Sequence, residues 1–279
     1  MFTRVFGCAS IAALTLIVSL PEAHAQPVAN GKPRYLALGD SLAFGFDPSV
    51  PVALENYHGY PELVSKSLKK AVANGSCFGE SSGSFLVFGQ PDLGCQFWRT
   101  AGLPMYETYT GSQMDFAIDY LEHNKKVDLI SINIGGNDLE LVLQKCGTDV
   151  GCQLGELPQT LLTFSQNLLT IYTRIRATGY QGPIVALTYY AFDYNDLLQV
   201  GAFGQFNQIV QTITTAFGGT VADGYGAFLQ ASSAFNGSTC AAGLLVKDAN
   251  GICGTHPSAA GQALLAGAVL DAIPASYKK

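Results

Sequence analysis

The sequence predicts an α/β domain in which a parallel sheet carries helices on both faces. Two observations lead there. Short apolar runs of strand length alternate along the chain with segments of helical spacing, the pattern of a parallel sheet joined by crossover helices. Two of the runs stop at a glycine-rich polar turn, Gly39-Asp40-Ser41-Leu42 and Gly135-Gly136-Asn137-Asp138. Such turns put polar side chains at the carboxyl edge of the sheet, where open α/β sheets place their ligands.

In order, Tyr35, Leu36, Ala37 and Leu38 form a buried strand that ends at the first turn. Residues 59–72 have helical spacing, with Pro61 in the first turn, where proline is tolerated. Residues 73–111 are rich in glycine and aromatics and show no dominant period. A helix is predicted over 113–124, with Met114, Ala117, Ile118 and Leu121 on one face, and a strand over 127–134. A long helix over 157–177 has the stripe Leu161, Phe164, Leu168, Ile171 and Ile175. A strand over 183–189, a helix over 203–217, a short strand over 219–223 and a helix over 257–273 starting on Pro257 complete the series.

The 279 residues are 48% hydrophobic and 13% charged, enough apolar material for one large core and too little charge for a disordered chain. Lys and Arg total 15 against 21 Asp and Glu, a net charge of −6, and no more than two basic residues adjoin, as in Lys69-Lys70 and Lys125-Lys126. Nucleic acid is therefore not an expected partner. Residues 1–25 carry Arg4, an apolar run over 11–20 and Ala23-His24-Ala25, the pattern of a cleaved secretory signal, leaving residues 26–279 as a single domain. The apolar run is too short for a membrane span, and no later segment is long enough. The expected product is exported or periplasmic, monomeric and not stably inserted in a membrane.

Of seven cysteines, Cys8 lies in the leader, so six remain: Cys77, Cys95, Cys146, Cys152, Cys240 and Cys253. An even number in an exported chain implies disulfides, with about 15 pairings open. The three sequence-local couples, 77–95, 146–152 and 240–253, are favoured. No CxxC spacing occurs and histidines are few, so no metal is expected.

Three stretches could bring chemistry together: GDSL at 39–42, GGND at 135–138 and GTHP at 254–257. A serine nucleophile needs a base within hydrogen-bond reach and donors aimed at the developing oxyanion. Of four histidines, His24 is in the leader, His123 falls late in a helix beside lysines, and His58 is in a loop. His256, after a glycine-flanked turn at a helix start, is the best base.

GDSL near the mature amino terminus, GGND after a central strand and THP near the carboxyl terminus, in that order, resemble the SGNH (GDSL-type) hydrolases. Within them the chain is similar to the secreted lipases and esterases with three sequential disulfides. The resemblance spans essentially the whole mature chain. It implies a flavodoxin-like α/β/α sandwich with a five-stranded parallel sheet and an ester hydrolase without a cofactor. Ser41 would be the nucleophile and His256 the general base. The backbone N–H groups of Ser41 and Gly79 and the side-chain amide of Asn137 would form the oxyanion hole. One position departs from the pattern: the family usually has an aspartate three residues before the histidine, and here that residue is Cys253. The expectation is a Ser41–His256 dyad whose ring N–H is accepted by a backbone carbonyl near Cys253, with Asp248 dispensable.

Simpler roles compete at each position. Ser41 could cap a helix, Gly79 could serve only a turn, and Asn137 could be an N-cap while Asp138 is structural. Gly79-Glu80-Ser81-Ser82-Gly83 matches the G-x-S-x-G elbow, but the flanking residues lack the strand and helix that the elbow requires. Two aromatic groups could form an acyl groove: Phe85, Phe88, Phe97, Trp98, Tyr106 and Tyr109 in the first insertion, and Tyr189, Tyr190, Phe192 and Tyr194 after the 183–189 strand. The function expected is a lipase or esterase acting on a small-molecule or lipid ester. A polysaccharide O-acetyl esterase, an acyltransferase and a non-catalytic carbohydrate- or surface-binding protein on the same fold are the alternatives.

Overall fold

A computed structural model describes residues 34–277. The signal sequence expected over 1–25 lies outside the described residues. The architecture is a parallel five-stranded sheet flanked by helices. Strand β1 (Tyr35–Gly39) leads into a short helix α1 (Ser41–Phe44), then α2 (Tyr60–Leu68) and the edge strand β2 (Val72–Asn74). Short helices α3 (Ser82–Leu86) and α4 (Cys95–Thr100) precede α5 (Gln113–His123), β3 (Leu129–Asn133), α6 (Gly136–Cys146) and α7 (Val150–Ala177). Then come β4 (Ile184–Leu187), α8 (Leu197–Ala216), β5 (Thr220–Ala222) and α9 (Gly224–Ser232). An antiparallel hairpin, β6 (Leu245–Lys247) and β7 (Cys253–Pro257), precedes α10 (Ala259–Ala272).

The sheet order is β2-β1-β3-β4-β5, with every neighbouring pair parallel. This is the flavodoxin-like order, with its switch point between β1 and β3. All residues of β1, β3 and β4 are buried, as strands covered on both faces must be. One helical group packs α10 on α2 and α9; the other packs α7 on α3, α5, α6 and α8. Phe164 and Phe206 stack at 3.9 Å between α7 and α8, under the turn that follows β3.

The structure corrects several boundaries: the long helix expected from 157 starts at Val150, with Pro158 inside it, and the helix expected from 203 starts at Leu197 behind an Asp196 cap. Helix α2 stops at Leu68, because Lys69 turns left-handed (φ 53°), and the last of the predicted helical residues, Val72, begins β2. With three residues, β2 is too short to show a period of its own. The final helix begins at Ala259 behind a Ser258 cap, so Pro257 closes β7 rather than opening a helix. Helices α6 and α9 and the β6–β7 hairpin were not anticipated.

All three favoured disulfides are present: Cys77–Cys95, Cys146–Cys152 and Cys240–Cys253. Among the described residues, no helix is long and apolar enough to cross a membrane.

Gly39 is the tightest point of the sheet. Its φ is +143°, and a Cβ there would lie 2.1 Å from the Asn133 carbonyl oxygen of β3. Gly39→Ala should therefore cost about 3 kcal/mol, near the upper end for a single substitution, read as a lower urea midpoint at unchanged slope.

Candidate active site

Where β1 ends, the chain must turn sharply while every buried backbone group finds a partner. Asp40 does this first: its N–H donates to Asn133 O at 3.0 Å, and its Oδ1 accepts from Leu42 N at 3.0 Å, capping α1. Its other carboxylate oxygen accepts from the Tyr189 hydroxyl, beyond β4. Side-chain amides supply the remaining partners. Gln113 Oε1 accepts from Gly39 N at 2.6 Å while its Nε2 donates to Gly39 O at 2.9 Å, taking the place of a neighbouring strand beyond the end of β2. Gln262 Nε2 donates to Leu42 O at 3.1 Å, and Asn74 Nδ2 donates to Ala43 O at 3.0 Å. Ser41 is held at the first position of α1, and its own N–H finds no acceptor among the described residues.

Gly79 lies on the loop that follows β2. That loop is tied to the turn after β1 by Cys77 N donating to Gly39 O at 3.1 Å, and is closed by the Cys77–Cys95 disulfide. Gly79 is left-handed (φ +73°), and a Cβ would meet the Leu93 carbonyl carbon at 2.5 Å. Its N–H, like that of Ser41, has no acceptor among the described residues. Asn137 is the second residue of α6, whose N-cap is Gly135. One amide N–H of Asn137 donates to Glu80 O at 2.8 Å, which orients the group and leaves its second N–H available. Asp138 accepts from Ser82 N at 2.8 Å and Ser82 Oγ at 2.5 Å, so it ties α6 to α3, the structural role expected of it.

His256 sits on β7. Its ring meets Phe46 edge-on at 5.0 Å and lies 6.2 Å from Phe78, while the Tyr190 hydroxyl holds the preceding carbonyl, Thr255 O, at 2.7 Å. No hydrogen bond to the ring is formed among the described residues, so neither the expected carbonyl acceptor near Cys253 nor a bond between the ring and Ser41 Oγ is found. The reason is the strand: at about 3.3 Å per residue, an extended β7 carries Cys253 roughly 10 Å from His256, where a helix start would have curled it back. Asp248 is at the exposed hairpin tip, accepting from Asn250 N and Ile252 N at 2.9 and 2.8 Å. Burial holds the His256 pKa down at about 4, with the charge of Asp47 opposing it. His58 is exposed, and His123 lies on the exposed end of α5 against Asp119.

Ser41, Gly79, Asn137 and His256 line one cavity of ≈ 160 Å³ at the β1/β3 switch point. Tyr189, Tyr190, Phe192 and Phe203 form an aromatic wall, and Leu93 and Phe78 are also at the surface of the cavity. Only part of the expected groove is here. Phe85 is in the main core, Trp98 and Tyr106 pack with Phe44, and Tyr109 stacks on Phe116; Phe88 and Phe97 are exposed. Tyr194 turns away, donating to Tyr225 O at 2.6 Å. Ser81 of the G-x-S-x-G match caps α3 through Ser84 N, and its hydroxyl donates to Pro91 O at 2.7 Å.

The sequence from residue 37 to 264 matches the GDSL-like Lipase/Acylhydrolase family. The chain belongs to that family. Its members are hydrolases acting on esters. No curated protein matches the chain. Among solved structures, phospholipase A1 from Streptomyces albidoflavus NA297 is 20% identical, with TM-score 0.59 over 88% of this chain and 100% of that one. The extracellular lipase from Streptomyces rimosus is 18% identical, with TM-score 0.58 over 86% and 100%. A variant of an acetyl-xylooligosaccharide esterase from Geobacillus Stearmophilus is 18% identical, with TM-score 0.51 over 86% and 93%. At these identities the likeness is one of fold.

Several side chains that build this GDSL site carry no motif signal: Gln113, Gln262, Asn74 and Tyr189. Buried carboxyls surround it as well. Burial pushes Asp40, Glu62 and Glu80 each up to about 7 and Asp138 up to about 6. A raised carboxyl binds more proton in the folded than in the unfolded state, so stability is full below its unfolded pKa and falls as pH rises toward 7. His256, held down, opposes this between about 6.5 and 4, one group against four. The melting temperature should therefore be higher at pH 5 than at pH 8. With about 2–4 °C per kcal/mol for a domain of this size, a difference of several degrees is expected in calorimetry.

Proposed function

We propose that the protein is a secreted serine hydrolase of carboxylic esters that works through an acyl-enzyme on Ser41. The observation that carries this reading is the meeting of Ser41, His256, Gly79 and Asn137 in one cavity. Ser41 Oγ attacks the acyl carbon while His256, neutral at ordinary pH because burial disfavours its charge, takes the proton. Negative charge on the carbonyl oxygen meets the N–H groups of Ser41 and Gly79 and the second amide N–H of Asn137. His256 returns the proton to the departing alcohol, and water activated by the same ring then releases the acyl group. The ring is positioned by Phe46 and Phe78 rather than by a carboxylate, which makes the pair a dyad. The aromatic wall of Tyr189, Tyr190, Phe192 and Phe203 favours an acyl or alcohol group larger than acetyl, and so a lipase or esterase over an O-acetyl esterase. Export is supported by the three disulfides, which persist in oxidising compartments, and by the leader pattern of residues 1–25.

Hydrolysis of p-nitrophenyl acetate, butyrate, octanoate and palmitate by the mature chain and its Ser41→Ala variant tests this. Wild-type turnover with at least about a 10³-fold loss in the variant is expected. Absence of turnover with all disulfides formed would favour the binding-protein reading.

The pH profile is a second check. A base with a pKa of about 4 should keep kcat/KM on its plateau down to about pH 5, below the range of an ordinary histidine. An acid limb centred near 6.5 would contradict the half-buried, uncharged ring.

A further inference from the structure

One group in the cavity has no part in ester hydrolysis. Glu140 lies one helical turn after Asn137 on α6, and both line the cavity. Among the described residues its carboxylate makes no hydrogen bond and no ion pair, and burial alone shifts its pKa upward. The other buried acids near the site are each satisfied: Asp40 by Tyr189 and Leu42, Glu80 by Ser84 and Gln113, Asp138 by Ser82. A half-buried carboxylate without a protein partner is left to solvent, and it can pair with a cation that enters the cavity.

The surroundings specify the sign and shape of that partner. Of the residues lining the cavity none is Lys or Arg, and the titratable ones are Asp40, Glu140, His256 with its neutral ring, and the hydroxyls of Tyr189 and Tyr190, which burial keeps protonated. The same cavity is lined by Tyr189, Tyr190, Phe192 and Phe203, and aromatic rings attract alkylated ammonium groups. The whole chain carries a net charge of −6, which draws cations toward the cleft. Resting on the esterase reading, we infer that Glu140 and the aromatic wall form a subsite for an ammonium group carried by the ester substrate. Residues three apart on a helix have Cβ atoms about 5–6 Å apart, so the cation would sit about one helical turn from the carbonyl oxygen that Asn137 faces. The short linker of an amino-alcohol ester, or of an ω-ammonio acyl group, spans that separation.

Two matched pairs separate the alcohol side from the acyl side. Choline butyrate is compared with 3,3-dimethylbutyl butyrate, and ethyl 4-(trimethylammonio)butanoate with ethyl 5,5-dimethylhexanoate, each pair differing only by carbon for charged nitrogen. Wild type should favour the charged member of one pair by about tenfold in kcat/KM, and Glu140→Gln should reduce that ratio to near unity. The preference should also shrink with added salt. Equal ratios in wild type and variant, or no preference in either pair, would overturn the subsite. A second measurement does not depend on turnover: calorimetric binding of choline and of 3,3-dimethylbutanol to the Ser41→Ala protein and to the Ser41→Ala/Glu140→Gln protein. Choline should bind more tightly than the alcohol to the first and not to the second; equal binding in both would overturn the inference. Failure of the esterase reading looks different, since the neutral esters would then not be turned over at all.

Discussion

Everything at the site depends on how β1 is brought to a stop. A parallel strand that ends in the middle of a sheet leaves peptide groups facing a neighbour that has already finished, because β2 pairs only as far as Ala37. Gln113 fills that gap by accepting from and donating to the same residue, Gly39, through its two amide atoms. On the other side β3 comes so close that only glycine fits. The turn that presents Ser41 is thus fixed by the sheet on one edge and by a helix side chain on the other, and its orientation needs nothing from bound substrate.

The same economy of donors explains the rest of the cavity. Glutamine and asparagine amides from α5, α10 and β2 occupy the carbonyls of the turn, while the N–H groups of Ser41 and Gly79 have no acceptor among the described residues. Buried donors are normally satisfied, so two left open toward one cavity are the electrostatic feature of the site. The second N–H of Asn137 joins them because Glu80 O holds the first.

Much of this was legible in the sequence. The parallel sheet followed from its buried apolar runs, and GDSL, GGND and THP pointed to Ser41, Asn137 and His256 through their order along the chain and the family resemblance, since each alone fits an ordinary turn or cap. Edge strand β2 was hidden by its three residues, and the β6–β7 hairpin by the proline that suggested a helix start. Gln113, Gln262 and Tyr189 were illegible for a different cause: their partners lie 74, 220 and 149 positions away, and nothing local announces such a bond. Of the two aromatic groups, the one after β4 reached the cavity largely intact. The earlier one mostly dispersed into core and surface, since aromatic residues serve packing as readily as recognition.

The disulfides divide the molecule in a way the sheet does not. Each closes a short segment, with separations of 18, 6 and 13 residues, and each sits on a piece of chain that delivers one side of the cavity. Cys77–Cys95 braces the Gly79 loop, Cys146–Cys152 locks the far end of the Asn137 helix, and Cys240–Cys253 staples the His256 hairpin. Ser41 follows β1 with no cross-link near it, and there water exclusion does the holding. The sheet is therefore held by burial alone, while the loops that line the cavity are held by cross-links as well.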